Sequence, residues 1–304
     1  PSVPLTPTPP AAVLCMGCAT MDHIFQVPQI PSRPLKYRAR AFRAVGGGNA
    51  ATAAVAISRL GGRPSLIARL GSDPLGDAIV RELQSQGVET SLVHRFPPCA
   101  SHISTIFIDD AGERLIVSFF DPNISHDPAW LPPIPDGTRA VLADAHWPAG
   151  VAELFRRAAA AGLPTVLDAD MPACPPEILA NTTVAAFSAP GLAAATGAST
   201  IPEGLRAAAR LGPGVMLATN GPDGVFWLHR DTLHHIPAHS VTAVDTLGAG
   251  DVFHGALALA LAQHRPLAEA ISFANAAAAL KVTRFGGRAG VPSRNEVERL
   301  LSTL

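Results

Sequence analysis

The sequence predicts an α/β fold: a doubly wound, mostly parallel sheet flanked by helices, with a small β-sheet lid. Three observations carry this. From about residue 138 onward, short apolar runs such as Ala140-Val141-Leu142-Ala143 and Val184-Ala185-Ala186-Phe187 alternate with helical stretches, the order that yields parallel strands joined by crossover helices. These runs are apolar throughout, as in strands covered on both faces. Residues 24–43 and 101–120 instead alternate polar with apolar side chains, the period of a sheet with one wet face.

At 304 residues, 48% hydrophobic and 15% charged, the chain suits one large domain, residues 11–304. A formal net charge of −1 without runs of like charge points away from nucleic acid and from anionic membrane surfaces. No apolar run approaches the roughly 20 residues of a membrane span. Residues 1–10 are proline-rich, lack the basic-then-apolar order of a secretory signal, and read as a flexible leader. Cys15, Cys18, Cys99 and Cys174 read as reduced thiols. Cys15 and Cys18 are spaced like half a zinc site, but they lie along an apolar strand and no second pair exists, so a cytoplasmic location is expected.

In chain order, Val13 to Gly17 reads as a buried strand with Asp22 just beyond its carboxyl end, where open α/β sheets bind ligands. Lys36 to Arg43 alternates basic with apolar residues and reads as a lid strand. Gly46-Gly47-Gly48-Asn49 is a glycine turn opening a helix that stops at Gly61. It is neither a dinucleotide fingerprint nor a phosphate loop of the Gly-Lys-Ser/Thr kind. A strand over Ser65 to Leu70 precedes the helix ending near Gly87, and Ser101 to Ile108 pairs with Arg114 to Phe120 around Asp109-Asp110-Ala111-Gly112. Strands then end at Asp144, Asp168, Ser188 and Thr219, followed by an edge hairpin over residues 225–236. Asp22, His146, Asp170, Thr219 and Asp251 are thereby expected to share one face of the sheet.

The most informative stretch is Asp245-Thr246-Leu247-Gly248-Ala249-Gly250-Asp251, which opens an Ala/Leu-rich helix. Small residues let backbone N–H groups approach a ligand, and the first N–H groups of a helix lack internal partners and carry its positive dipole end. That is a site for an anion. A lone carboxylate placed there, Asp251, either favours the helix dipole or takes a proton from something held between it and a phosphate.

With these motifs assembled, nearly the whole chain resembles the ribokinase (phosphofructokinase B) family of carbohydrate kinases. Gly46-Gly47-Gly48-Asn49 resembles its N-terminal signature, Asp245 to Asp251 its C-terminal one, and Thr219-Asn220-Gly221-Pro222-Asp223-Gly224 its nucleotide loop. The resemblance implies a ribokinase-like fold, ATP-dependent phosphorylation of a primary hydroxyl, and Mg²⁺ arriving with ATP. It implies Asp251 as general base and the N–H groups of Gly248, Ala249 and Gly250 as an anion hole. Asp22, Gly47, Gly48 and Asn49 would bind the sugar. Thr219, Gly221, Gly224 and Asn275 would serve the nucleotide. Asp245, with main-chain oxygens near Leu247, Lys281, Arg284 and Gly286, would hold a monovalent cation such as K⁺, as in several members. The family's Asn-x-x-Glu is absent: Ser188-Ala189-Pro190-Gly191 stands there, leaving Asp168 or Asp170 to help place Mg²⁺.

Several stretches, including Asp144-Ala145-His146-Trp147 and Gly286-Gly287-Arg288-Ala289-Gly290, are similar to sulfofructose kinases. Of the Lys, Asn and Arg with which those enzymes grip a sulfonate, Lys36 matches, while Ser118 and His146 replace the other two. Neutral His offers one donor where Arg offers a charged fork. A ketose-like substrate is expected, either neutral or bearing a weaker anion, with His146 either a ligand or a packed strand-end residue. Ribokinase- or nucleoside-kinase-type specificity and a non-catalytic sugar-binding regulator are the alternatives. The lid strands are expected to pair with a second subunit.

Overall fold

The computed structural model describes residues 10–170 and 175–303. The proline-rich leader, apart from Pro10, and Cys174 lie outside the described residues. The first half of the chain runs β1 (Ala12–Met16), β2 (Thr20–Gln26), β3 (Ala41–Gly47), α1 (Asn49–Arg59), β4 (Arg63–Ile67), β5 (Arg69–Gly71), α2 (Pro74–Ser85), β6 (His94–Phe96), β7 (Ile103–Ile108) and β8 (Arg114–Phe119). The second half runs β9 (Thr138–Asp144), α3 (Pro148–Ala160), β10 (Thr165–Asp168), α4 (Pro176–Leu179), β11 (Val184–Ser188), α5 (Ala189–Thr196), α6 (Ile201–Ala208), β12 (Val215–Thr219), β13 (Val225–His229), β14 (Thr232–Ile236), α7 (Ala249–Ala262), α8 (Leu267–Val282) and α9 (Arg294–Ser302).

Eight strands form the central sheet in the order β14-β13-β12-β11-β10-β9-β1-β4, parallel from β4 to β12 and antiparallel over the final hairpin. Side-chain alternation along β1 divides the core between two layers. Val13 and Cys15 face a cluster built with α1, α7 and α8, whereas Leu14 and Met16 face one built with α3 and α6. The apolar strand runs follow from this two-sided cover. Cys15, Cys18 and Cys99 are buried free thiols. Among the described residues, no helix is long and apolar enough to cross a membrane.

The lid is a separate four-stranded sheet in the order β3-β2-β7-β8. Its position differs from expectation in two ways. The alternating residues 36–40 form no strand: β2 has seven residues, its last pair is Gln26 with Ala41, and before Ala41 only the Arg40 N–H still reaches β2 among the described residues, at the Gln26 carbonyl (2.7 Å). Lys36 therefore sits in an exposed loop. Asp22 does not trail the central strand either; it lies within β2, opposite Val45 and Ser104. The expected strand over residues 65–70 splits: β4 joins the central sheet and β5 pairs with β6 in a small sheet of its own.

Two helix N-termini are brought to one place by a close crossing. α7 is buried over most of its length, and its Gly255 packs on α1 so tightly that a Cβ there would stand 2.5 Å from the Ala53 carbonyl oxygen. This sets Asn49, first in α1, beside the first turn of α7. Gly255→Ala should lower stability by about 1–3 kcal/mol, the usual effect of overpacking, as measured by denaturant unfolding. A stability equal to that of the parent would mean the helices can part without strain.

Candidate active site

The turn before α7 is anchored by a buried carboxylate. Asp245 Oδ1 accepts the Leu247 N–H (2.9 Å), and Oδ2 accepts those of Gly286 (3.0 Å) and Gly287 (3.2 Å). Burial by itself would raise the Asp245 pKa; these N–H donors and Lys281 outweigh it and hold the group below the usual carboxylate range. Gly248 adopts the left-handed conformation (φ 76°) that ordinary side chains disfavour. The Ala249 N–H is bonded to the Thr246 carbonyl at 3.2 Å, whereas those of Gly248 and Gly250 have no recorded protein acceptor among the described residues. The open N–H set is thus Gly248 and Gly250, without Ala249.

Asp251 stands half-buried in this turn, with Asp168 and His254 close enough for the ligand atoms of all three to lie within 4.8 Å of one another. Burial, then the Asp168 and Asp144 carboxylates, push Asp251 up to about 7, opposed by His254 and Arg288. Asp168 stays ionised more readily. Burial alone would raise it, but His254 and the Asn49 amide, which donates to it at 3.0 Å, bring it below its usual range. Burial would lower His254; Asp168 and Asp251 outweigh this and raise it.

Two cavities open onto the turn. One, about 400 Å³, is lined by Asp22, Asn49, Ser118, His146, Asp251 and Arg288 among others. The Asp22 carboxylate accepts from the Thr20 hydroxyl at 2.9 Å and lies where a Cβ on Gly47 would have to be, only 2.1 Å away, which is why Gly47 carries no side chain. Ser118 shares a hydrogen bond with Ser104 at 2.9 Å. His146 is 44% exposed at the rim, its Nδ1 3.2 Å from Asp144; the hydrogen bond to Asp144 raises its pKa. The packed residue of the pair is Trp147, at 2% exposure. Lys36 does not line this cavity. The second cavity, about 530 Å³, is bounded by Thr219, Gly221, Gly224 and Asn275 with apolar walls from Val225 and Phe253. Asn275 donates to the Pro237 carbonyl at 2.9 Å, fixing one wall. Gly250 is the one described residue that lines both cavities.

The pfkB family carbohydrate kinase profile matches residues 11–294. The chain belongs to this family. It is 31% identical to the ribokinase of Bacillus subtilis over 296 residues, covering 95% of this chain and 99% of that one. It is 30% identical to a fructokinase of Klebsiella pneumoniae, covering 84% and 91%. A solved protein from Agrobacterium tumefaciens superposes with a TM-score of 0.87 at 36% identity, covering 97% and 98%. This pfkB kinase is therefore an ATP-dependent enzyme acting on a sugar or a nucleoside.

The residues expected to hold metals meet different fates. Asp168 Oδ2 faces Asn49 and His254, whereas Asp170, two residues past β10, is exposed and, among the described residues, accepts the Ser188 N–H through one oxygen. Among the described residues, Asp168, with Asp251 and His254, is the group whose ligand atoms lie close enough together to hold a metal ion, whereas Asp170 lines neither cavity. At the expected monovalent site, the Lys281 ammonium, fully buried, donates to the Asp245 main-chain oxygen at 2.9 Å and lies 3.3 Å from Oδ2. Arg114 of the lid approaches Oδ1 at 3.3 Å, and the Arg284 side chain turns away to Glu296.

Sequence reading missed Arg288, 4% exposed, which donates to Glu82, to the Gly47 carbonyl and to Thr52. It also missed Asp144, whose Oδ2 accepts the N–H groups of Cys18 (2.7 Å) and Ala50 (3.0 Å) and so ties β1 to α1. The signal for Asp144 was present, an acid ending an apolar strand; Arg288 carried none beyond its place in a glycine-rich loop.

The raised pKa of Asp251 fixes a sign. A carboxyl that holds its proton more tightly in the fold contributes stability below the unfolded value of about 4, and this is lost as pH rises to about 7. Asp251→Asn should therefore be more stable than the parent by about 1–2 kcal/mol near pH 8 and equal to it near pH 4. Thermal melts of both proteins across pH test this, and a variant less stable than the parent at the alkaline end counts against it.

Proposed function

We propose that this kinase transfers the γ-phosphoryl group of ATP to a primary hydroxyl of a ketose-type sugar, with Asp251 as general base. The observation that carries this reading is Gly250, where the two cavities meet beside the carboxylate with the raised pKa. The polar cavity suits a sugar: Asp22 and Asn49 offer a carboxylate and an amide to hydroxyl groups. The larger, partly apolar cavity suits the nucleotide, with Thr219, Gly221, Gly224 and Asn275 along it.

With both bound, the sugar hydroxyl reaches Asp251 and the γ-phosphorus. Asp251 accepts the proton as the sugar oxygen forms its bond to phosphorus and the bond to the β-phosphate oxygen breaks, releasing ADP. The free N–H groups of Gly248 and Gly250, at the positive end of α7, meet the charge on the moving phosphoryl group. Mg²⁺ arriving with ATP would neutralise triphosphate charge, and the Asp168 and Asp251 carboxylates are the group that would hold it.

Two observations shape specificity. Lys36 lies away from the cavity, and Ser118 and His146 supply no permanent charge, which favours a neutral sugar over a sulfonated one. Ile106, Ile116 and Phe120 line the same cavity, an apolar wall that favours a riboside with an aromatic base as the second reading. We also propose that a second copy covers the lid, since Phe42, Ile116, Val117 and Phe119 are 54%, 52%, 58% and 48% exposed.

A panel of ketoses, aldoses, sulfosugars and ribosides with ADP detection identifies the acceptor; binding of a sugar without ADP release from any of them would leave a sugar-binding protein without turnover. Asp251→Asn should lower kcat by at least about a hundredfold with ATP affinity retained, and kcat/KM of the parent should fall as pH drops below about 7, where the base is protonated. Retention of more than a tenth of the activity would remove Asp251 from the role of base. Gly250→Ala meets no neighbour within 4 Å, so its melting temperature should match the parent while turnover drops by at least about tenfold, because the new methyl fills the transfer point. Sedimentation should show a dimer that Val117→Asp converts to a monomer.

A further inference from the structure

The resemblance implies that this chain, like several members of the family, holds a monovalent cation at the carboxylate that anchors the turn before α7. In this chain that carboxylate is Asp245, and its surroundings do not fit a free ion. Such an ion needs oxygens with free lone pairs facing a common point. Here Oδ2 already accepts the Gly286 and Gly287 N–H groups, and Oδ1 accepts that of Leu247. The main-chain oxygen of Asp245 accepts a hydrogen bond from Lys281 Nζ at 2.9 Å, and the same nitrogen stands 3.3 Å from Oδ2. Lys281 lies in the last turn of α8 and is fully buried. A solvent-facing role is thus excluded for its ammonium, and Asp245 is the only acid within salt-bridge distance of it among the described residues.

We propose that the Lys281 ammonium is a built-in substitute for the monovalent cation, so that this kinase is organised without K⁺. An ammonium group and K⁺ carry the same charge and are close in size, and both draw oxygens around them. The lysine differs in being supplied by the chain and in donating along fixed directions. It compensates Asp245 and fixes the main-chain oxygen from which the turn departs, and the same turn presents Thr246, Ala249 and Gly250 to the nucleotide cavity. Lys281 is a positioning residue: it acts on ATP through Asp245 and the turn.

The proposal rests on the kinase reading, and its test is read without any sugar. ATP affinity by calorimetry and the melting temperature are measured in potassium and in tetramethylammonium salts at equal ionic strength, for the parent and for Lys281→Ala. The parent should show the same affinity and melting temperature in both salts. Lys281→Ala should bind ATP at least about tenfold more weakly in tetramethylammonium, and potassium or ammonium ions should recover most of that loss and raise the melting temperature. Lys281→Met, which keeps the chain volume, is the second variant should the alanine protein fail to fold, and it should lose affinity without rescue because its side chain still fills the space. Potassium-specific tightening or stabilisation of the parent overturns the proposal, as does a Lys281→Ala protein indifferent to the ion. A parent that binds no ATP in either salt would sink the kinase reading instead.

Discussion

The structure depends on gathering negative charge around the first turn of one buried helix without losing the fold. Asp251, Asp168, Asp144 and Asp245 lie in or beside that turn, and an incoming triphosphate would add more. Uncompensated, carboxylates this close would take up protons or force the site open. The molecule answers each separately. Asp144 is covered by N–H groups from β1 and α1, Asp168 by Asn49 and His254, and Asp245 by three N–H groups and Lys281. Asp251 has no such cover: burial, with Asp168 and Asp144 beside it, outweighs His254 and Arg288, and of the four it alone has a pKa pushed up to about 7. The acid proposed as the base is the one the fold leaves with its pKa raised.

The architecture follows from that requirement. A helix N-terminus is a modest positive charge, so it must be aimed accurately to matter. Beyond Asp251 and His254 in its first turns, α7 is apolar and packs on α1 and α8, with Gly255 against the backbone of α1. The crossing sets two N-termini side by side, one bearing Asn49 and one bearing Asp251. Arg288 then ties the loop after α8 to the end of β3 and to α2 through the Gly47 carbonyl and Glu82. The lid strand β3, α1 and α2 are joined at one buried guanidinium.

Much of this was legible beforehand because it rests on local chemistry. Apolar runs gave away the two-sided sheet, and the small-residue turn gave away an anion site with an acid in it. What escaped depends on partners distant in sequence. The alternation over Lys36 to Arg40 has a strand's period, but β2 ends at Gln26 and its ladder with this segment stops at Ala41. Asp22 was read only as lying past the carboxyl end of β1; that it sits within a lid strand is decided by pairing with β3 and β7. Ala249 was counted among the free N–H groups although the turn's own geometry bonds it to Thr246. Lys281 was read for its carbonyl, yet a charged residue inside the run Ala276 to Val282 was already a sign that its side chain had a buried partner.

A fixed cation and an exchangeable one solve the same electrostatic problem with different consequences. A bound ion leaves the turn's order dependent on the surrounding concentration of that ion. An ammonium on α8 makes the turn's order a property of folding, already present before nucleotide arrives, and preorganised donors need no rearrangement when charge develops. The lysine also reaches Asp245 from the helix that carries Asn275, and Asn275 fixes a wall of the nucleotide cavity. One helix therefore sets both the wall against which the nucleotide rests and the anchor of the turn that meets its phosphates.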